Sequence, residues 1–230
     1  MAKTVIITGA SGNLGTATIK KMLVEGYRVI AVSNSHNNFA FAQGNKNFES
    51  QPVNLSREDE TQAFIEDVIK RYQTIDAVFL LAGGFAMGDI ESTGGDALKK
   101  MYALNFETAY YTVRPLFTHM LKNNFGRIAF VGARPSLSAA NGKNMIAYAL
   151  SKSLLFKLSE YLNEASKGKN IVSSVIVPST IDTPQNREAM PDASFDKWVS
   201  TEQIADILFF TCSELAAPLR EPVYKLYNDA

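Results

Sequence analysis

A chain of 230 residues, 46% of them apolar, is long enough and hydrophobic enough to fill the core of one large domain. Its 23 basic and 23 acidic residues balance, which excludes the global field that nucleic acid or an anionic membrane surface would select, and neither is expected as a partner. A lone cysteine, Cys212, excludes an internal disulfide, and Met1-Ala2-Lys3 leads straight into a strand with no apolar leader or membrane-length run, so a reducing, cytoplasmic setting is expected.

The first strand candidate, Thr4 to Thr8, runs into Thr8-Gly9-Ala10-Ser11-Gly12-Asn13-Leu14-Gly15, and a helical pattern follows from Asn13 to Glu25. Glycines let the backbone leave a strand sharply and come close to a pyrophosphate, while amides at the start of the next helix point at the anion. With a second apolar run, Arg28 to Ser33, beyond the helix, the segment reads as a dinucleotide-phosphate cradle rather than a plain turn. The second strand ends in Ser33-Asn34-Ser35-His36, where no carboxylate is present to accept ribose hydroxyls and no Arg or Lys to pair with an added phosphate. Asn45 to Val53 is a weaker strand candidate, required if the first half is to hold three strands.

A helix from Arg57 to Tyr72 and a strand from Ala77 to Ala82 come next. Helical patterns at Asp96 to Lys122, Ala147 to Lys167 and Thr201 to Ser213 then alternate with strand candidates at Arg127 to Gly132, Ile171 to Val177 and Pro222 to Leu226. Most of the strands are continuous apolar runs, the pattern of strands covered on both faces. The alternation predicts an α/β fold, a Rossmann-type doubly wound parallel sheet with helices on both faces, with residues 1–230 as a single domain. Pro178 to Trp198, the longest irregular stretch, reads as a functional loop. Ligands of such sheets bind beyond the carboxyl ends of the strands, so Gly9, Ala82 to Gly84, Gly132 to Arg134 and Pro178 to Thr183 should converge on one crevice.

Tyr148 and Lys152 lie four apart at the start of a helix and so share a face. An ammonium beside a phenol favours the phenolate; moving a tyrosine pKa from ~10 towards ~7 takes about 4 kcal/mol of differential stabilisation. A tyrosine so tuned exchanges a proton with a carbonyl or alcohol oxygen near neutral pH. The spacing alone is common on helices, and it is the place after the fifth strand of a dinucleotide-binding sheet that gives this pair its weight. His36 and His119 stand without ligand-spaced partners, so no metal is expected. Trp198, Phe195 and Met190 form either an apolar lid over a substrate or a satellite core.

Across nearly its whole length the chain resembles the short-chain dehydrogenase/reductase family. The resemblance rests on Thr8 to Gly15, Leu81-Ala82-Gly83-Gly84, Leu104-Asn105-Phe106, Tyr148 with Lys152, and Pro178-Ser179-Thr180-Ile181-Asp182-Thr183. Within the family it looks most like the quinonoid dihydropteridine reductase branch, through Leu81-Ala82-Gly83-Gly84-Phe85-Ala86, Val131-Gly132-Ala133-Arg134, Met145-Ile146-Ala147-Tyr148 and Ile181-Asp182-Thr183-Pro184-Gln185-Asn186-Arg187 continuing to Met190-Pro191.

The resemblance implies that Tyr148 is the proton donor, that Lys152 binds the nicotinamide ribose and tunes Tyr148, and that Asn105 holds a water in a proton relay. Read from the residue alone, Asn105 is instead a polar side chain bonding backbone inside a helix. The cofactor-binding set implied comprises Gly9, Ser11, Gly12, Asn13 and Leu14 in the loop, Ser33 and Asn34, Asn54 and Leu55, and Ala82, Gly83 and Gly84 beside the adenosine ribose. Pro178, Ser179, Ile181 and Thr183 would meet the nicotinamide and pyrophosphate, with Tyr148 and Lys152 completing the set. A homodimer or homotetramer is implied too, through the long helices. Tyr110, Tyr111, Phe117, Leu154, Leu158 and Leu162 either supply that surface or face the sheet.

The chain also departs from the family pattern. Ala133 stands where the usual catalytic serine belongs, and Ser136 or Ser138 would have to replace it. The dihydropteridine reductase branch lacks this serine as well, its quinonoid substrate needing only hydride delivery and protonation. Asn13 makes the loop spacing G-x-x-G-x-x-G, a form shared with sugar-nucleotide epimerases of the same superfamily. The expected activity is hydride transfer from NADP(H) or NAD(H), with the balance towards NADP(H) because no acid closes the second strand. The small-molecule acceptor is a carbonyl or a dihydropteridine-like quinonoid. The alternatives are a catalytically weak NAD(P)-binding redox sensor and an epimerase-like enzyme.

Overall fold

The computed structural model describes residues 2–35 and 39–229. In chain order the elements are β1 (Thr4–Thr8), α1 (Asn13–Val24), β2 (Arg28–Ser33), β3 (Phe48–Pro52), α2 (Glu58–Tyr72), β4 (Ala77–Leu80), α3 (Gly95–Tyr102) and, after a π turn at Ala103–Glu107, α4 (Thr108–Asn123). They continue as β5 (Phe125–Val131), the short α5 (Ala139–Gly142), α6 (Ile146–Ala165), β6 (Asn170–Pro178), β7 (Ile181–Asp182), α7 (Pro184–Ala189), β8 (Val199–Ser200), α8 (Thr201–Thr211) and β9 (Val223–Leu226). Seven strands form one parallel sheet in the order β3-β2-β1-β4-β5-β6-β9, and β7 pairs with β8 beside it.

Alternation along buried strands feeds two cores. Ile6, Ile30, Val78, Ile128 and Phe130 point to one face, where Ile65, Val68, Leu116, Met120 and Leu155 of α2, α4 and α6 cover them. Val5, Ile7, Val29, Phe79 and Ala129 point to the other, against Ile19 and Met22 of α1 and Ile204 and Leu208 of α8. Because β1 has β2 on one side and β4 on the other, the strand order reverses at β1, and in such sheets ligands bind beyond the carboxyl ends of the strands at that point.

Two expectations from the sequence need correction. The fourth strand stops at Leu80 rather than Ala82, since the Leu81 and Ala82 amides turn to the Thr8 hydroxyl, at 3.0 and 3.2 Å, instead of continuing the ladder. The helical run from Asp96 to Lys122 is broken by the π turn, which widens the helix where the Asn105 side chain reaches out to other segments. The weak third strand is present as β3, in register with β2 from Val29↔Phe48 to Ser33↔Pro52.

Glycine is required where α1 meets the strand that feeds it. A Cβ on Gly15 would sit 2.3 Å from the Gly9 carbonyl oxygen and 2.7 Å from the Ala10 Cα, both rigid backbone atoms. Gly15→Ala should therefore cost about 1–3 kcal/mol through forced backbone shifts, read from the urea midpoint. Gly95→Ala, inside α3 where nothing lies within 4 Å of the added Cβ, should be neutral or stabilise by up to about 1 kcal/mol.

Candidate active site

At the carboxyl end of β1 the chain turns through Gly9, at φ +64°, a left-handed conformation that glycine adopts without strain. A Cβ there would also meet Leu81 and Ala82 backbone atoms within 2.9 Å. Gly12 N–H donates to the Gly9 carbonyl at 3.1 Å, and Gly12 starts α1 with no side-chain cap and no acid in the first turn. By contrast α7 and α8 are capped by the Thr183 and Ser200 hydroxyls. The amides at the start of α1, beyond Gly12, Asn13 and Leu14, are thus left without a side-chain acceptor, and the glycine approach keeps the surface before them open, the chemistry an anion needs. Ser11 is exposed at this turn. Asn13 reaches across to the far wall, donating to Gln185 of α7 at 2.7 Å.

The β2 end carries Ser33, whose buried hydroxyl donates to the Ser35 carbonyl, and Asn34; His36 lies outside the described residues. Asn54 closes a turn by accepting from the Ser56 amide and hydroxyl, and the Leu55 side chain is in the core, so only backbone from Leu55 can face a ligand. After β4 the turn Ala82-Gly83-Gly84 rests directly on the side chains behind it. A Cβ on Gly83 would lie 2.5 Å from Asn105 Oδ1 and 3.2 Å from Lys152 Nζ. Asn105, fully buried, accepts from the Gly84 amide at 2.9 Å and donates to Ser151 Oγ at 3.0 Å. It does bond backbone, but that of another segment rather than of its own helix.

Tyr148 and Lys152 occupy the first turns of α6. The Tyr148 ring meets the edge of Phe85 with centroids 5.0 Å apart, although Phe85 itself is largely exposed. Burial pushes the Tyr148 phenol up to about 12, opposite to the lowering expected from the sequence. Lys152 is buried too, and its amine donates to the Val131 carbonyl at the end of β5, 2.8 Å away. Burial in turn brings Lys152 down to about 8.

Ala133 is buried at the next strand end and offers no hydroxyl. Ser136 donates to the Ala133 carbonyl, and Ser138 begins α5 without a side-chain bond to it. Ser179, just past β6, gives its amide to the Leu226 carbonyl and its hydroxyl to that of Tyr227, so it ties Pro178 and the end of β6 to β9. Ile181 lies in β7 and accepts from Asn186 Nδ2. The Thr183 hydroxyl accepts from the Asn186 amide as the cap of α7.

Trp198 is buried and packs on Phe195 at 4.8 Å between centroids, with the Arg187 guanidinium on the other ring at 4.8 Å, while Met190 is exposed. Trp198 thus belongs to a satellite core. His119 pairs with Asn123, and no cluster of metal-ligating side chains occurs among the described residues. No role was assigned from the sequence to Ser151, which lies inside the Tyr148–Lys152 interval, and Phe85 and Gln185 entered only as residues of the family resemblance.

Residues 3–194 match the family model for the short chain dehydrogenases. The chain belongs to the short-chain dehydrogenase family. Among curated proteins, this short-chain dehydrogenase is similar to a dihydropteridine reductase of Dictyostelium discoideum, 27% identical over 212 residues that cover 91% of this chain and 87% of that one. Among solved structures it shares its fold with ElxO with NADP bound, at a TM-score of 0.88 and 20% identity, covering 98% of this chain and 97% of that one. It also shares it with an NAD+-bound xylitol dehydrogenase, at a TM-score of 0.87 and 18% identity, covering 98% of each. The chain is accordingly an oxidoreductase of this family, and no helix among its described residues is long and apolar enough to cross a membrane.

The buried lysine makes stability depend on pH. Its pKa is about 8 in the folded protein against an ordinary 10.5. Between those values the unfolded chain holds a proton that the folded one has released, so this group's contribution to stability rises with pH across the window and is level below it. Relative to Lys152→Met, the wild-type protein should gain ~1–3 kcal/mol from about pH 8 to about pH 10, measured by urea unfolding of both proteins at each pH. A difference that stays constant would show the amine to be solvated.

Proposed function

We propose that this short-chain dehydrogenase transfers a hydride from NADPH or NADH to a carbonyl or dihydropteridine-like quinonoid acceptor, with Tyr148 as the proton donor. The reading is carried by the approach of the Ala82-Gly83-Gly84 turn to Asn105 and Lys152, which gathers the cofactor side and the proton side at one end of the sheet. The uncapped start of α1, with Gly9, Ser11, Gly12, Asn13 and Leu14, would hold the pyrophosphate. Ser33, Asn34, Asn54, the Leu55 backbone and Ala82 to Gly84 would face the adenosine half, and Pro178, Ser179, Ile181 and Thr183 the nicotinamide half. When bound, the nicotinamide supplies the hydride.

With its pKa at about 12, Tyr148 carries its proton at neutral pH, the state an acid must start from. Lys152, at about 8, is mostly an ammonium there, so a positive charge lies close by when the phenol gives its proton up. Ala133 has no hydroxyl to polarise an acceptor oxygen, and the Ser136 hydroxyl is committed to the Ala133 carbonyl. An acceptor that is already electron-poor needs no such help, which favours a quinonoid ring over a plain ketone. The Dictyostelium discoideum relative, a dihydropteridine reductase, supports the same choice.

No acid at the end of β2 repels an added phosphate, so NADPH is the preferred form. A cytoplasmic, single-domain enzyme is the setting in which this reading places it. Tyr148→Phe should lower turnover of a quinonoid dihydropterin by about 10² to 10⁴-fold with cofactor affinity nearly unchanged. The affinities come from titrating nicotinamide fluorescence, in which NADPH should bind more tightly than NADH. Full turnover by the phenylalanine variant would remove Tyr148 from the mechanism, and saturable binding with no turnover by the wild type would favour the redox sensor.

A homo-oligomer is part of the same proposal. Leu158 and Leu162 are buried towards the sheet, whereas Leu98, Tyr102, Leu150 and Leu154 line an apolar groove of about 330 Å³ between α3 and α6. Leu150 is 55% exposed on its rim. The wild type should sediment as a dimer or larger, and Leu150→Asp should shift it to monomer; a monomeric wild type would overturn the assignment.

A further inference from the structure

Hydroxyls inside helices commonly donate to a carbonyl three or four residues back and do nothing else. Thr108, Thr112 and Ser153 behave in that way, bonding Leu104, Thr108 and Leu150. Ser151 does this and more. Its hydroxyl donates to the Tyr148 carbonyl at 2.8 Å and also accepts from Asn105 Nδ2 at 3.0 Å, while only 3% of the residue is exposed. The Asn105 amide then passes the connection on, its Oδ1 accepting from the Gly84 amide at 2.9 Å.

The direction of this chain of bonds is fixed at both ends by backbone. Gly84 N–H can only donate, so Asn105 must turn Oδ1 towards it and Nδ2 away. Nδ2 finds Ser151 Oγ and, at 3.8 Å, the weakly accepting sulfur of Met101. The residue at 151 must therefore accept from Asn105, and it must donate to Tyr148, whose carbonyl can only accept. A hydroxyl meets both demands; a methyl meets neither. Gly83 rests against the same amide oxygen, so a displacement of Asn105 moves the whole turn.

We infer that Ser151 is a positioning residue whose buried hydroxyl, acting through Asn105, sets the distance between the Ala82-Gly83-Gly84 turn and Tyr148. The inference rests on the proposed hydride transfer for its catalytic consequence, but the mechanical link stands by itself. Ser151→Ala shortens a side chain and keeps the helix, so the variant should fold. In the full-length protein its turnover of quinonoid dihydropterin with NADPH should fall about tenfold, the scale of a sub-ångström misplacement, while NADPH affinity changes less than about twofold.

The decisive readout is hydrogen exchange of the Gly84 amide, which Ser151 does not touch. It should quicken about tenfold in Ser151→Ala as the Asn105 oxygen loses its fixed place. In an Asn105→Ala background the serine substitution should add nothing further. Unchanged Gly84 exchange in Ser151→Ala overturns the inference whatever happens to turnover, as do fully additive effects of the two substitutions. A wild type that reduces no acceptor would defeat the proposed reaction alone, because the exchange measurements need no substrate.

Discussion

The Lys152 amine can donate three hydrogen bonds, and it sits in a part of the protein that water hardly reaches, held to the Val131 carbonyl at 2.8 Å. Burying a cation against a single dipole is unfavourable, and the lowered pKa is the trace of it. The surrounding structure is organised around tolerating this charge at this point. β5 ends so that its last carbonyl faces the amine, Gly83 gives up a side chain to let the backbone come near, and Asn105 fills the remaining space with an amide whose bonds are already satisfied. A site with a cation held in reserve is suited to work that creates negative charge for an instant, and the proposed proton donation from Tyr148 is work of that kind.

The sheet could be read from the chain because its strands are buried on both faces, which leaves largely apolar runs such as Thr4 to Thr8, Arg28 to Ser33 and Ile171 to Val177. β3 was harder to see, since its pattern of partial exposure at the sheet edge dilutes that signal. Element ends set by distant side chains were not legible at all. The halt of β4 depends on Thr8, some 70 residues earlier, and the π turn on Gly84 and Ser151, so no local propensity announces either. The helix face shared by Tyr148 and Lys152 was legible from spacing. What spacing could not show is which acceptor the lysine chooses, or that burial would push the tyrosine up.

In the proposed reaction Asn105, Tyr148 and Lys152 would handle protons, while Ala133 has no hydroxyl with which to polarise an acceptor. The geometry reinforces the division. Ser136, near enough in sequence to compensate, turns back on the Ala133 carbonyl and stabilises its own turn. On the proposed reaction the burden of reactivity falls on the acceptor molecule, and the task of alignment on the protein.

Asn13 and Gln185 meet across the mouth of the crevice although 172 positions separate them. During synthesis the amino-terminal half emerges first, and β1 can acquire both of its neighbours, β2 and β4, once residue 80 is free. The residues of the glycine loop are all present at that stage, while the helix that faces them across the opening is not. Only when α7 has been translated and packed does the loop gain the partner that spans the opening. The segment that forms the glycine loop is thus synthesised long before the helix that closes over it, and the contact across the opening cannot exist until residues 184–189 are in place.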